Sequence, residues 1–338
     1  MTYDEVLAQA RGQMGPYCKA CAVCNGQACR NTMPGPGAKG LGTGFIRNYD
    51  AWQKVLLNMD TIGESVVPDT GFDLFGLHFA LPVFAGPVGA MRAHYGEKHD
   101  ELSYNRLLVG GACAAGIAAF TGDGTDPALF KAGLDAIQHN GGRGIPTVKP
   151  WDMETVHAKL KAAAASGVFA IAMDIDAAGL PHLQGRTPPA GRKTVAQLRE
   201  IVEAAGVPFI LKGIMTVKGA EKAMDAGVSA IVVSNHGGRV LDSCPASAEV
   251  LPEIAAAVGG RVKILVDGGI RTGLDVFKAL ALGADGVLIA RPYVTATYGA
   301  GEEGIRVYTE KLSAELRDTM QMCGAQTLRE ITRDMVRV

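Results

Sequence analysis

The chain has 338 residues, 48% of them hydrophobic and 20% charged, with 44 glycines and a formal net charge of −1. That length suits one barrel-sized domain of roughly 250 residues plus an extension, and the balanced charge excludes a basic nucleic-acid footprint. No apolar run reaches the roughly 20 residues of a membrane span, and Met1-Thr2-Tyr3-Asp4-Glu5 is not a secretory signal, so the expected compartment is the cytoplasm.

The seven cysteines are unevenly spread. Cys18, Cys21, Cys24 and Cys29 crowd into a stretch rich in Gly and Pro, whereas Cys113, Cys244 and Cys323 are scattered. Four thiolates this close are suited to one [4Fe–4S] cluster, with a spacing similar to ferredoxin-type runs without matching them. A structural Zn²⁺ in a Cys₄ site is the alternative, followed by free or disulfide-forming thiols. Residues 1–70 thus read as an extension with a metal-binding segment, and 71–338 as the main domain.

From about residue 80 the chain alternates short apolar runs with helical patterns. The strands are expected at Pro82–Ala85, Gly116–Thr121, Ile145–Lys149, Phe169–Asp174, Pro208–Lys212, Ala230–Ser234, Lys263–Asp267 and Gly286–Ala290. Helices are expected at Asp152–Ser166, Thr194–Ala205, Val217–Ala226, Ala246–Val258 and Gly273–Leu282. Ile and Val on both faces of the strands indicate a parallel sheet covered on each side. The repeated βα unit predicts an α/β fold, a closed (β/α)₈ TIM barrel with a short N-terminal cysteine-rich extension. Steps such as Ala205-Gly206-Val207 and Ala226-Gly227-Val228 read as helix C-caps entering the next strand.

Polar residues cluster where such a barrel keeps its active site. Asp174, Asp176, Lys212, Ser234, Asp267 and Arg291 all fall at or just past the C-terminal ends of expected strands. Ser234-Asn235-His236-Gly237-Gly238-Arg239 places a base and an anion-binding cation at one strand mouth. Val266-Asp267-Gly268-Gly269-Ile270-Arg271 ends the next strand and opens a helix, where backbone N–H groups and the helix N-terminus favour a phosphate. Together these segments indicate a cofactor enzyme.

These motifs, with Leu211-Lys212-Gly213, the run Gly273–Gly286 into Ala290-Arg291-Pro292, and Met322-Cys323-Gly324 followed by Leu328-Arg329-Glu330-Ile331 as a closing helix, resemble the FMN-dependent 2-hydroxy-acid dehydrogenase/oxidase family, the group of glycolate and lactate oxidases. The resemblance covers roughly residues 80–338. It implies FMN as cofactor and oxidation of a 2-hydroxy acid to a 2-oxo acid. His236 is then the base that takes the hydroxyl proton as a hydride equivalent leaves the substrate. Asp176 orients His236, Arg239 clamps the substrate carboxylate, and Lys212 sits by the flavin's pyrimidine edge. Pro87, Val88 and Gly89 pass along the isoalloxazine, Ser234 hydrogen-bonds the flavin, and Asp267, Gly268, Gly269, Arg271, Ala290 and Arg291 hold the ribityl chain and phosphate. A homo-oligomer, commonly a tetramer in this family, is implied as well.

The chain departs from the family pattern in three places. The N-terminal segment where the family carries a substrate-binding tyrosine reads Met33-Pro34-Gly35-Pro36-Gly37-Ala38-Lys39-Gly40. The place of the second carboxylate-binding arginine falls near Leu183, with His182, Arg186 and Arg192 as possible substitutes. The third strand reads Pro146-Thr147-Val148-Lys149 where the family has a glutamine and a tyrosine, so Lys149 either nears the flavin or substrate or caps the strand. The altered pocket keeps open an FMN-dependent isomerase, or a flavin and metal electron-transfer or sensor protein. An iron–sulfur cluster would favour a dehydrogenase passing electrons to a carrier protein. No membrane or nucleic-acid partner is expected.

Overall fold

The computed structural model describes residues 1–33 and 35–338. Eight parallel strands close into a barrel in chain order: β1 (Val83–Ala85), β2 (Ala118–Thr121), β3 (Gly144–Val148), β4 (Ile171–Asp174), β5 (Phe209–Ile214), β6 (Ala230–Val233), β7 (Lys263–Val266) and β8 (Gly286–Ile289), with β8 paired back onto β1. All the strands expected from apolar patterning are present, with small shifts at their ends.

Alternation along each strand sorts the side chains. Phe84, Phe120, Ile145, Ile210, Val232, Leu265 and Leu288 fill the barrel interior, while Val83, Ile171, Phe209, Ile231 and Val287 pack under the helices. A hairpin pairing Phe72–Leu74 with Leu77–Phe79 joins that interior cluster. Its Phe79 and Phe72 rings meet Phe84 edge-on at centroid distances of 5.3 and 6.2 Å.

Local chemistry sets the helices. Thr194 caps Val195–Ala205 in a capping box with Gln197, and Gly206 ends it at φ 64°. Thr272 and Asp275 form the same box for Gly273–Ala281. In β5 the register against β6 slips between Lys212 and Ile214. The intervening Gly213 takes φ 103°, and a Cβ there would stand 2.6 Å from the Cβ of Asp176. This bulge lets the loop after β4 close on β5.

Much of the N-terminal extension is folded onto the barrel. Tyr3–Arg11 is capped reciprocally by Thr2 and Glu5, and Tyr3 stacks on Tyr308 at 4.8 Å. Thr43–Lys54 buries Phe45 and Trp52, and Trp52 Nε1 donates to Gly268 O at 2.7 Å. The expected closing helix is corrected at its end. Arg291–Cys323 stops at Gly324, whose φ of 81° breaks the helical path, and Leu328–Glu330 forms only a 3₁₀ turn. Among the described residues no helix is long and apolar enough to cross a membrane.

Candidate active site

The strand mouths converge on one charged network. His236 follows β6 in the left-handed region at φ 56°, a costly conformation for a residue with a Cβ. Asn235 fixes the turn by accepting from Gly238 N–H, and the His236 N–H donates to Ser234 Oγ at 3.1 Å. The imidazole Nδ1 lies 3.0 Å from Asp176 Oδ1, in the 3₁₀ turn after β4. Lys212 Nζ stands 3.9 Å from Asp176 Oδ2 and 3.6 Å from Asp267 Oδ2.

Burial, reinforced by the charges of Lys212 and Lys149, holds the His236 pKa well below its ordinary value, so the ring is a neutral base at physiological pH. Burial works against the Lys212 charge as well, but Asp176, Asp267 and Asp174 outweigh it and raise its pKa. Asp176 and Asp267 are themselves raised by burial, with Lys212 opposing the shift.

A cavity opens over this network. Its wall includes Pro87, Val88, Gly89, Lys212, His236, Arg239, Asp267, Gly268, Gly269, Arg271, Ala290 and Arg291. Ser234 is the exception among the expected cofactor residues. It is fully buried and does not line the cavity, and its hydroxyl accepts from the His236 N–H.

The wall fits an FMN. Gly268 and Gly269 take φ 92° and 88°, and a Cβ on Gly269 would stand 2.2 Å from Asn48 O, so the backbone there is bare by necessity. The Arg271 Nε donates to Cys24 O at 2.8 Å, its own carbonyl accepts from Tyr308 OH at 2.9 Å, and its buried Nη2 lacks a protein partner. Asp267 Oδ1, Thr147 Oγ1 and Asp174 Oδ1 are likewise buried without protein partners. Orphaned polar atoms along one cavity call for a polar ligand.

The opposite wall holds the departures from the family pattern. Lys149 Nζ meets Asp174 Oδ2 at 2.5 Å, a buried pair across β3 and β4, so Lys149 reaches into the cavity and is more than a strand cap. Behind it Asp123 accepts from the Lys149 N–H at 3.0 Å, from Trp151 Nε1 at 2.7 Å and from Lys159 Nζ at 2.9 Å. Of the three substitutes near Leu183, His182 lines the cavity; Arg186 and Arg192 do not.

His94 and Tyr95 also line the cavity, from the short helix Met91–Tyr95 after β1, and sequence reasoning missed both. Burial and the charge of Arg239 bring the His94 pKa down to about 3, burial and Lys149 bring His182 down to about 4, and burial pushes Tyr95 up to about 12. All three are therefore neutral hydrogen-bonding groups.

The N-terminal segment forms part of the site's frame. Arg239 Nη1 donates to Gly35 O and, at 3.4 Å, to Gly37 O, while Lys39 N–H donates to Gly238 O at 2.9 Å. Burial, with Arg291 nearby, lowers Arg239 to about 10 and leaves it charged. Pro34 lies outside the described residues. Cys18, Cys21, Cys24 and Cys29 are all partly buried free thiols, and Cys18 senses the charges of the other three. The one trio of His, Cys, Asp or Glu ligand atoms within 4.8 Å of each other among the described residues is Asp174, Asp176 and His236, already answered by Lys149 and Lys212.

A barrel whose last two units bring a bare glycine turn and two arginines to one cavity, beside a buried histidine–carboxylate pair and lysine, has the make-up of a flavin-dependent oxidoreductase. The model of the FMN-dependent dehydrogenase family matches residues 36–184 and 184–338, and the chain belongs to that family. The match begins beyond the four cysteines. The chain is 32% identical to 4-hydroxymandelate oxidase of Amycolatopsis orientalis, over 89% of this chain and 94% of that one. It is 31% identical to L-lactate oxidase of Lactobacillus jensenii, over 86% and 75%. Among solved structures, a mandelate oxidase variant with a monooxide FMN adduct superposes with TM-score 0.77 at 32% identity, covering 89% of this chain and 93% of that one.

Proposed function

We propose that the protein oxidises a 2-hydroxy acid to the 2-oxo acid, with His236 as the base. The observation that carries this reading is the His236–Asp176 pair, 3.0 Å apart, beside Lys212 in a cavity that ends on the Arg271 cradle. Asp176 occupies Nδ1, which leaves Nε2 to accept the substrate's hydroxyl proton. The carboxylate then stabilises the imidazolium. Arg239, steered by the carbonyls of Gly35 and Gly37, takes the substrate carboxylate in its planar fork.

When bound, FMN supplies an acceptor for the two electrons that leave the α-carbon. Pro87, Val88 and Gly89 give its ring a wall, Lys212 offsets negative charge along it, and Asp267, Arg271 and Arg291 hold its chain and phosphate. His94, Tyr95 and His182 replace the family's tyrosine and second arginine with neutral donors. The substrate carboxylate therefore depends mainly on Arg239 for charge.

In the same reading the four cysteines hold a metal group, a [4Fe–4S] cluster or Zn²⁺, and a carrier protein receives the electrons. The chain works as a homo-oligomer in the cytoplasm. The deciding experiment is anaerobic titration of the purified flavoprotein with a panel of 2-hydroxy acids, including (S)-mandelate and L-lactate. Bleaching of the flavin by one of them, with the matching 2-oxo acid formed, is the expected result. A flavin that no acid bleaches, or product formed without any electron acceptor, refutes it.

A further inference from the structure

We propose that Cys18, Cys21, Cys24 and Cys29 hold a [4Fe–4S] cluster seated on the back of the flavin cavity's wall, where it serves as the electron outlet. This rests on the flavin reading above. The first argument is the spread of the thiols. A single Zn²⁺ with bonds of about 2.3 Å draws its sulfurs to within roughly 3.8 Å of one another. No three of these thiols share even a 4.8 Å neighbourhood, yet Cys18 lies in electrostatic reach of Cys21, Cys24 and Cys29. Four thiols of one short loop that lie within reach of each other but too far apart for one ion suit a cubane, whose ligands sit on separate irons.

The second argument is position. The carbonyl of Cys24 accepts from Arg271 Nε at 2.8 Å, so one hydrogen bond separates the cysteine loop from the phosphate cradle. Gly26, inside the loop, takes φ 89°, and a Cβ there would come within 2.9 Å of Phe45 Cγ. The Arg291 guanidinium lies over the same Phe45 ring, 3.7 Å from its centroid. Arg271 thus meets the cysteine loop directly, and Arg291 meets it through Phe45. Arg271 and Arg291 bring positive charge to a cluster that is net negative in either oxidation state.

The electron count closes with a one-electron carrier. Oxidation of one 2-hydroxy acid breaks a C–H and an O–H bond, forms C=O, and releases two electrons and two protons. The electrons leave singly through the cluster to two equivalents of a carrier protein, and the protons pass to water.

The test uses the full chain purified without air and analysed for iron, acid-labile sulfide, zinc and FMN. About four irons and four sulfides per chain are expected, with an electron paramagnetic resonance signal after dithionite. The same signal is expected when an acid that bleaches the flavin is added anaerobically. Cys21→Ser should lower iron and sulfide several-fold while Cys113→Ser leaves them unchanged. If the Cys21 variant does not fold, stripping the wild-type protein and refilling it with iron and sulfide replaces it, and failure to refill counts against the cluster. Zinc without sulfide, or thiols free of metal, overturns the proposal. A dithionite signal that substrate never elicits, with the flavin bleached, overturns the outlet and leaves the cluster. Iron and sulfide without FMN instead refute the flavin reading and, with it, the outlet.

Discussion

Asp176→Asn isolates the charge behind His236 at almost constant shape. The carboxylate lies 3.0 Å from Nδ1; in a medium of effective dielectric about 20, an imidazolium at that distance gains roughly 5 kcal/mol of Coulomb energy. The carboxylate is already engaged, because Lys212 stands 3.9 Å from its other oxygen. The net loss is then closer to that of one charge-assisted hydrogen bond, about 1.5–3 kcal/mol. This corresponds to roughly a 10- to 150-fold fall in the rate of flavin reduction.

Anaerobic stopped-flow at saturating hydroxy acid measures that rate directly. The apparent substrate affinity should change little, since Arg239 is untouched. In a His236→Ala background the same substitution should have almost no further effect, because its role runs through the imidazole. A rate within twofold of the parent in the wild-type background, with flavin bound, refutes the assignment. A fall of the same size in both backgrounds makes Asp176 a structural residue.

Four further outcomes follow from the geometry. The base works as neutral imidazole, and burial lowers the His236 pKa, so kcat/KM should keep its plateau below pH 6.5 and fall only at more acidic pH; a half-maximum above pH 7 would contradict this. Arg271→Ala removes a charged donor from the phosphate cradle and should weaken FMN binding by roughly 10- to 100-fold in fluorescence titration; unchanged affinity would place the phosphate elsewhere. Gly213→Ala puts a Cβ 2.6 Å from Asp176 at φ 103°, and should cost about 2 kcal/mol or more by denaturant unfolding together with at least tenfold in reduction rate. Arg239→Lys keeps the charge but loses the fork, so KM should rise several-fold or more; an unchanged KM would remove Arg239 from carboxylate binding.

The barrel was legible in the sequence because its strands are buried on both faces, which leaves continuous Ile and Val runs rather than a faint alternation. The groups at the strand mouths were legible for the complementary reason. A charged residue ending an apolar run, as Asp174, Lys212 and Asp267 do, has little reason to be there except the active-site face. The extension was harder. Tyr3–Arg11 carries its signal in the Thr2-x-x-Glu5 capping box, and the barrel helix Pro127–His139, likewise not expected, carries its own in Asp126-Pro127; both were available to a reader of caps rather than of periodicity. His94 and Tyr95 had no comparable local sign. They lie on a five-residue helix, and only closure of β1 against β8 brings them over the cavity. Ser234 sits in the same motif as His236, and the turn after β6 buries it with its hydroxyl accepting from the His236 N–H.

Partner chemistry separates the cavity's cations into two kinds. Lys149 is answered by Asp174, and Lys212 by Asp176 and Asp267, so each lysine enters as part of a nearly neutral buried cluster. Such groups shape the potential felt by a flavin ring without attracting an anion strongly. Arg271 is held differently, by the carbonyls of Cys24 and Ile270, which fix its direction and leave its charge unspent. Carbonyl restraint costs an arginine little of its attraction for a phosphate, whereas a carboxylate partner would cancel most of it. Arg239 Nη1 also donates to the carbonyls of Gly35 and Gly37. The N-terminal segment thus meets two cavity arginines from outside the barrel, Arg271 by the cysteine loop and Arg239 by the glycine loop that follows it.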